Sequence, residues 1–296
     1  MHYRYGTAGF RMEASKLEPI CERIGMAAGI LSRYFGGKAV GVMITASHNP
    51  ESDNGVKFVA SDGEIIPVEL ESIVEILVNT KDFEVINDIC CQHKIDPKVP
   101  VKVLIARDTR RSGPGLSKAI IKGIKGEIKD LGLMTTPQFH AAVAYENNHE
   151  TCADQCNYYN LFSSKFFNSQ EFFGSITVDC ANGVGAIALS KARDIQSKFK
   201  IELINDGDGE LNHECGADYI KTNKCYPRNA MLGELEHAYA LDGDADRLVA
   251  FTKINNQFSL LDGDRIAALF ATFLQRFKNL FSIGVIHTAY SNGAFI

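Results

Sequence analysis

The segment TASHNP, residues 45–50, contains two residues that could act in catalysis. It begins where the apolar run at residues 41–45, typical of a buried strand, ends. Side chains at the carboxyl end of a strand in an α/β sheet are held rigidly and reach an open crevice. Ser47 is therefore a candidate nucleophile with His48 beside it, although Ser, Asn and Pro also simply stabilise turns. No G-x-S-x-G pattern surrounds Ser47, which argues against a Ser-His-Asp hydrolase.

The segment LDGDADR, residues 241–247, is the second chemical candidate. Asp242, Asp244 and Asp246 alternate, so an extended loop can direct all three carboxylates at one point. Such oxygen ligands suit Mg²⁺, which usually shares its shell with phosphate. An EF-hand requires Gly at the sixth position and Glu at the twelfth, where this chain has Arg247 and Lys253. Crowded carboxylates repel each other without a cation, which favours a metal site over a solvated acidic turn.

Weaker signals have competing interpretations. Residues 107–111 (RDTRR) could hold an anion or form an internal Arg–Asp pair, whereas Asp262 is better explained as a helix N-cap. The pattern G-x-G-x-x-A at residues 183–188, with Glu202 further on, matches a dinucleotide fingerprint. Three residues separate the preceding strand from its first glycine, which disfavours a nicotinamide enzyme. A zinc site at residues 149–156 (His149, Cys152, Cys156) lacks a second ligand pair.

The elements that position these segments alternate between short apolar runs and helical periodicity, which predicts an α/β fold. A polar stretch at 146–150 marks a boundary, giving predicted domains at residues 1–147 and 148–280 and the start of a third at 281–296. The predicted strands are 41–45, 56–59, 102–106, 175–179, 201–204, 237–241, 248–253 and 284–287. The predicted helices include 20–31, 112–125, 186–193 and 266–277, and a further one is marked by the apolar residues 73, 74 and 77.

Composition excludes several classes of protein. The 296 residues carry a formal net charge of −5 with 45% apolar and 23% charged residues, which rules out disorder, collagen and coiled coil. The acidic balance argues against a nucleic-acid partner, and the longest apolar stretch is too short to span a membrane. Eight cysteines without a signal peptide predict reduced thiols in a cytoplasmic protein.

Taken together, the motifs resemble the α-D-phosphohexomutase superfamily, and within it the acetylglucosamine subgroup. The resemblance implies consecutive βα-layered domains with mixed sheets. The subgroup rests on residues 6–11, the Ala245 variant of the acidic loop and residues 211–218. The matching segments are residues 5–11, 41–50, 53–57, 106–110, 133–138, 178–183, 211–213 with 215–218, 242–247, and 288–290 with 292–293.

The resemblance implies a phosphohexomutase, an isomerase that moves a phosphoryl group within a sugar. Ser47 would carry the group, primed by a hexose 1,6-bisphosphate, and pass it to an N-acetylglucosamine monophosphate through a bisphosphate intermediate. The 6-phosphate and 1-phosphate would thereby interconvert, feeding UDP-N-acetylglucosamine synthesis. Mg²⁺ would bind the Ser47 phosphate and the three aspartates of the acidic loop. The only implied partner is a small-molecule sugar phosphate, and the chain is expected to be monomeric.

The resemblance also assigns roles to four further residues. Lys57 corresponds to a proton-transfer lysine, and a lowered pKa near Mg²⁺ would suit that work. His48 would position groups or support acid–base chemistry. Arg11 and Arg247 fit charge-assisted contacts to phosphate.

Relatives of this type have four domains, whereas this chain reaches only the start of the third. We therefore expect a fragment, a truncated gene model or a degenerate homologue that does not interconvert sugar phosphates at an enzyme-like rate. Two alternatives follow from the same residues: a non-catalytic metal-binding remnant, or a mutase for another hexose phosphate.

Overall fold

A computed structural model of the chain describes residues 2–6, 9–148, 158–159, 175–195, 200–233, 236–280, 282 and 284. The strands are β1 Phe10–Glu13, β2 Val40–Ile44, β3 Asp53–Val59, β4 Lys102–Arg107, β5 Glu127–Leu133, β6 Ser175–Asp179, β7 Lys200–Ile204, β8 His237–Leu241, β9 Leu248–Ile254 and β10 Gln257–Leu261. The helices are α1 Ala14–Leu17, α2 Cys21–Tyr34, α3 Val68–Asn79, α4 Phe83–Gln92, α5 Gly113–Gly123, α6 Thr136–Asn148, α7 Gly185–Ile195, α8 Ala217–Asn223 and α9 Gly263–Leu274.

The first sheet is mixed and has the order β1-β3-β2-β4-β5. Its central strand β2 runs parallel to β4 and antiparallel to β3. Because side chains alternate along a strand, Val42 and Ile44 point to one face and Met43 to the other. The first face packs against α2, α3 and α5, whereas Met43 joins Phe139 and Val143 of α6 on the opposite face. Helices on both faces hold β2 rigid, and the loop that carries Ser47 follows it directly.

The second sheet is also mixed and has the order β10-β9-β8-β6-β7. Strand β8 runs parallel to β6 and antiparallel to β9. Ala238 and Ala240 of β8 pack with Ile220 of α8. Tyr239 and Leu241 belong to a second apolar cluster, to which α7 contributes Ala186. The acidic loop, residues 242–247, is the connection from β8 to β9.

The structure confirms the predicted α/β fold class of βα-layered, mixed sheets. Each predicted strand among the described residues is present within three residues of its predicted ends. The sequence analysis missed the polar edge strand β5, strands β1 and β10, and helices α1, α4, α6 and α8. The domain limits at 147/148 and 280/281 stay predictions, and the strand at 284–287 and the cysteines of the zinc candidate fall among residues outside the described ranges. Among the described residues, no helix combines the length and apolar character that crossing a membrane requires.

Candidate active site

Ser47 lies in the loop between β2 and β3 and is almost fully buried, with 1% of its surface exposed. Its backbone adopts a left-handed conformation with φ of 52°, which is uncommon for a residue other than glycine. The Ser47 amide donates to Thr45 Oγ1 at 2.9 Å, and Thr45 Oγ1 donates to Asp108 Oδ2 at 2.8 Å. The surrounding hydrogen bonds therefore hold Ser47 in a conformation that an isolated turn would not favour.

The acidic loop brings three carboxylates together as the sequence predicted. Ligand atoms of Asp242, Asp244 and Asp246 all lie within 4.8 Å of one another. Asp242 and Asp244 are fully buried, and Asp246 is exposed. Asp244 Oδ1 is buried without a hydrogen-bond partner among the described residues. A buried, unpaired carboxylate oxygen is costly in a protein interior, so this donor set fits a divalent cation such as Mg²⁺.

The two predicted segments meet at a short contact. Ser47 Oγ donates a hydrogen bond to Asp242 Oδ2 at 2.5 Å, although 195 residues separate the two in the chain. Lys57 of β3 reaches the same loop, with its Nζ 3.3 Å from Asp244 Oδ2 and 3.2 Å from Asp246 Oδ2. The hydroxyl of Ser47, the carboxylates and the ammonium group therefore form one polar cluster.

The pKa shifts follow from burial and from this crowding. Burial raises the pKa of Asp242, and repulsion from Asp244 and Asp246 adds to the rise. Burial also acts to raise the pKa of Asp244, but attraction to Lys57 and the hydrogen bond from Thr136 outweigh it and lower that pKa. One carboxylate thus favours its ionised form while its neighbour resists ionisation. A bound cation would remove that conflict.

The pKa of Lys57 depends on its burial and on the two carboxylates that it contacts. Burial acts to lower it, but attraction to Asp244 and Asp246 is stronger, so the pKa of Lys57 is raised. The lowered pKa expected for Lys57 concerned the lysine beside Mg²⁺, and it stays a prediction. A cation on those carboxylates would offset their attraction for the Lys57 ammonium group.

The predicted basic residues lie beside the cluster. Arg11 Nη1 donates to Asn49 Oδ1 at 3.1 Å, and Arg247 Nη1 lies 3.1 Å from Asp218 Oδ1 and its Nε 3.8 Å from Asp242 Oδ2. Burial lowers the pKa of His48, and repulsion from Arg247 lowers it further. His48 is therefore neutral at pH 7, and its Nδ1 is buried with no hydrogen-bond partner in the described part of the chain.

Arg110 is a residue of the site that the sequence analysis left undecided. Its side chain is fully buried, and its Nε donates to Asp108 Oδ2 at 3.0 Å. Its Nη2 donates to the carbonyl oxygens of Ser47 at 3.0 Å and Asn49 at 2.9 Å. The RDTRR segment thus forms the internal Arg–Asp pair, and that pair supports the Ser47 loop.

Two further residues were not identified as site residues. Thr136 Oγ1 donates to Asp244 Oδ2 at 2.8 Å, and the Thr136 amide donates to the carbonyl of Asp244 at 2.9 Å. Its place at the first residue of α6, after the end of β5, is the signal that could have found it. Asn212 Nδ2 donates to the carbonyl of Ser47 at 2.9 Å, a contact that no spacing in the sequence indicates.

The glycine pattern at residues 183–188 has a packing role in this structure. A Cβ added at Gly183 would lie 2.5 Å from the carbonyl oxygen of Gly243. Gly183 therefore allows the loop after β6 to pack closely against the acidic loop. Close packing therefore explains the glycine at position 183 without a bound dinucleotide.

Comparison with known proteins agrees with this arrangement. The family model "Phosphoglucomutase/phosphomannomutase, alpha/beta/alpha domain I" matches residues 27–85, and "Phosphoacetylglucosamine mutase AMG1, domain II" matches residues 140–249. A phosphoacetylglucosamine mutase of Candida albicans is 38% identical over 99% of this chain and 60% of its own length. The corresponding human enzyme is 37% identical over 98% of this chain and 58% of its own length. The chain thus spans about three fifths of the length of the curated relatives it matches.

Solved structures give the same result. An N-acetylglucosamine-phosphate mutase in the apo-form, described as a member of the α-D-phosphohexomutase superfamily, superposes with a TM-score of 0.91 at 38% identity, over 99% of this chain and 69% of that one. The Aspergillus fumigatus enzyme in complex with GlcNAc-6P and magnesium superposes with a TM-score of 0.90 at 36% identity, over 99% of this chain and 59% of that one. A variant of that enzyme in complex with glucose 1,6-bisphosphate superposes with a TM-score of 0.87 at 36% identity, over 94% of this chain and 56% of that one. This chain belongs to the phosphoacetylglucosamine mutase family of the α-D-phosphohexomutase superfamily.

Proposed function

We propose that this chain carries the phosphoserine and metal-binding part of a phosphoacetylglucosamine mutase, which interconverts N-acetylglucosamine 6-phosphate and 1-phosphate. The observation that carries the proposal is the contact of Ser47 Oγ with Asp242 Oδ2, within a cluster of three carboxylates. The relatives and the complexes with GlcNAc-6P, magnesium and glucose 1,6-bisphosphate support it over a non-catalytic remnant and over a different sugar.

In the proposed reaction, phosphorylated Ser47 gives its phosphoryl group to a hydroxyl of the sugar phosphate. The Ser47 O–P bond breaks as the sugar oxygen forms its own bond to phosphorus, and the sugar hydroxyl loses its proton. Taking up the phosphoryl group from the other end of the bisphosphate completes the interconversion. Phosphoryl transfer depends mainly on positioning and on neutralising negative charge, and the buried, fixed position of Ser47 supplies the first of these.

The residues around Ser47 have separate proposed roles. Lys57 and His48 are the groups able to hold or move the proton of the sugar hydroxyl, with Lys57 assigned to proton transfer and the neutral His48 to its support. Arg11 and Arg247 bind phosphate oxygens through charge-assisted hydrogen bonds. A Mg²⁺ ion held by the three aspartates of the acidic loop would supply positive charge beside the phosphoryl group.

The proposal extends to the domain organisation, the oligomeric state and the location of the protein. Residues 1–147 would form the domain with the phosphoserine loop, residues 148–280 the domain with the metal-binding loop, and residues 281–296 the start of a third. We propose that the chain is monomeric and that it lies in the cytoplasm. Its only partner would be a small-molecule sugar phosphate. Light scattering of the purified chain tests the monomer, and fluorescence microscopy of the tagged chain tests its location.

Phosphorylation of Ser47 is the direct test. The chain is incubated with glucose 1,6-bisphosphate and Mg²⁺, and intact mass spectrometry should show one added phosphoryl group. Ser47→Ala should abolish the addition, whereas Ser52→Ala, which changes an exposed serine of the same loop, should keep it. A phosphoryl group that persists in Ser47→Ala would place the nucleophile elsewhere.

A second measurement tests the sugar. Phosphorylated chain is mixed with N-acetylglucosamine 6-phosphate, glucose 6-phosphate or mannose 6-phosphate, and loss of the Ser47 phosphoryl group is followed over time. The proposal expects the fastest loss with the N-acetylated sugar. Equal or faster loss with another hexose phosphate would favour the alternative mutase.

A further inference from the structure

Asn212 connects the second sheet to the backbone of the reactive loop. It lies between β7 and α8, and its Nδ2 donates to the carbonyl oxygen of Ser47 at 2.9 Å and to that of Asn49 at 3.0 Å. These partners precede it by 165 and 163 residues. The contact is therefore a tertiary one that joins two distant parts of the chain at the candidate nucleophile.

The same two carbonyl oxygens accept hydrogen bonds from Arg110 Nη2, at 3.0 Å from Ser47 and 2.9 Å from Asn49. A carbonyl oxygen has two lone pairs, so each of the two oxygens has one donor for each lone pair. Arg110 follows β4 of the first sheet, whereas Asn212 follows β7 of the second. Arg110 therefore supports the reactive loop from the first sheet and Asn212 supports it from the second, which is the sheet that carries the acidic loop.

Asn212 is itself firmly placed. Its backbone is left-handed with φ of 59°, a conformation that Asn tolerates better than most residues. Its amide donates to the carbonyl of Ala181, which follows β6, at 3.0 Å. Strands β6 and β8 are neighbours in the second sheet, and β8 leads into the acidic loop. The side chain of Asn212 is therefore fixed relative to the carboxylates that Ser47 contacts.

We infer that Asn212 is a positioning residue for Ser47 in the reaction proposed above. The side-chain amide of Asn212 fixes the Ser47 carbonyl relative to the second sheet, and this keeps Ser47 Oγ beside Asp242. Ser47 is held in a left-handed conformation that costs free energy, so the loop relaxes when a support is removed. A shift of about 1 Å at a reacting group can slow a reaction by about a hundredfold.

Three variants test the inference. Asn212→Gly retains the left-handed backbone and removes the amide, and Asn212→Asp keeps the shape but places a carboxylate against two carbonyl oxygens. The matched control is Asn229→Gly, since Asn229 is another left-handed asparagine, with φ of 67°, whose amide bonds to Asn205 Oδ1 within the second sheet's own loops.

The first readout is the rate of Ser47 phosphorylation at varied glucose 1,6-bisphosphate. Asn212→Gly should lower the maximal rate by about ten- to a hundredfold. The half-saturating concentration of the donor should stay within about twofold, because the side-chain amide of Asn212 is used on the loop backbone. Asn212→Asp should lose more, and Asn229→Gly should match the parent chain. A maximal rate in Asn212→Gly equal to that of Asn229→Gly would overturn the inference.

The second readout is hydrogen exchange of the amides in residues 45–54, which needs no activity. Exchange should be faster in Asn212→Gly and unchanged in Asn229→Gly; equal exchange in both would overturn the inference. If the parent chain takes no phosphoryl group at Ser47, the proposed function fails, and exchange alone then decides whether Asn212 positions the loop.

Discussion

Replacing Arg110 with methionine should destabilise the chain far more than the same change at Arg107, in the same RDTRR segment. Arg110 is fully buried, and its guanidinium bonds to Asp108 and to backbone carbonyls of the Ser47 loop. Methionine fills a similar volume but offers no donors. The substitution leaves Asp108 as a buried carboxylate without its ion-pair partner.

The size of the effect follows from burial. Removing one partner of a buried ion pair costs about 3–5 kcal/mol, so we expect Arg110→Met to lower the free energy of unfolding by about 4 kcal/mol. The control is Arg107→Met in the same segment, because Arg107 pairs with Asp130 at 3.5 Å on the surface. Exposed pairs contribute about 0–1 kcal/mol, so this control should lose less than about 1 kcal/mol.

The stability loss caused by Arg110→Met should also depend on pH. Burial raises the pKa of Asp108 to about 6, even though Arg110 opposes the rise. Without Arg110 the folded-state pKa is higher still, so the folded protein holds a proton that the unfolded chain releases near pH 4. The cost of burying the ionised Asp108 carboxylate applies in full above its folded-state pKa, and it is lost as the pH falls through that pKa and the group takes up a proton. The loss caused by Arg110→Met should therefore be smaller at pH 5 than at pH 8.

The assay is urea denaturation followed by far-ultraviolet circular dichroism, since the chain contains no tryptophan. The double variant Asp108→Asn with Arg110→Met removes the unpaired charge and should recover about 2 kcal/mol of the loss. A loss below about 1 kcal/mol, equal to that of Arg107→Met, would refute the argument that the buried pair supports the loop.

Three further predictions concern the surrounding structure. In Gly243→Ala the added Cβ would lie 2.7 Å from the Ser47 carbonyl oxygen, so thermal denaturation should show a loss of about 1–3 kcal/mol, whereas Gly115→Ala, with open space at that position, should show none. Burial lowers the pKa of His140, so the free energy of unfolding should fall as the pH drops below 6.5. Urea denaturation at pH 7.5 and at pH 5.5 measures that fall, which should be smaller in His140→Gln. Asp244→Asn should weaken Mg²⁺ binding at least about tenfold in calorimetric titration, and unchanged affinity would argue against the metal site.

The sequence predicted the parts of the fold that local patterns encode. The apolar run before Ser47 became β2, and residues 237–241 became β8 with the predicted limits. Asp262 caps α9 as expected, because its Oδ1 accepts from the amide of Arg265 at 3.1 Å. In each case a short stretch of residue types decides the local structure, so no knowledge of distant partners is needed.

What the sequence could not predict depends on distant partners. Strand β5 has the sequence EIKDLGL, without a clean alternation, because it is an edge strand that only β4 pairs within the described residues. The support of Ser47 by Asn212 spans 165 residues and uses a side-chain amide against a backbone carbonyl. Such a bond leaves no charge pattern, spacing or periodicity in the sequence.

The two sheets share one pattern of strand pairing around their middle strands, and this explains why the two predicted loops meet. In each sheet the middle strand, β2 or β8, pairs in parallel on one side and is followed by an antiparallel return strand on the other. Each candidate loop is the connection between the middle strand and its return strand. A hydroxyl on one such loop and carboxylates on the other therefore come together when the carboxyl ends of the two middle strands face each other, and Asn212 and Arg110 fix that meeting through the same two carbonyl oxygens.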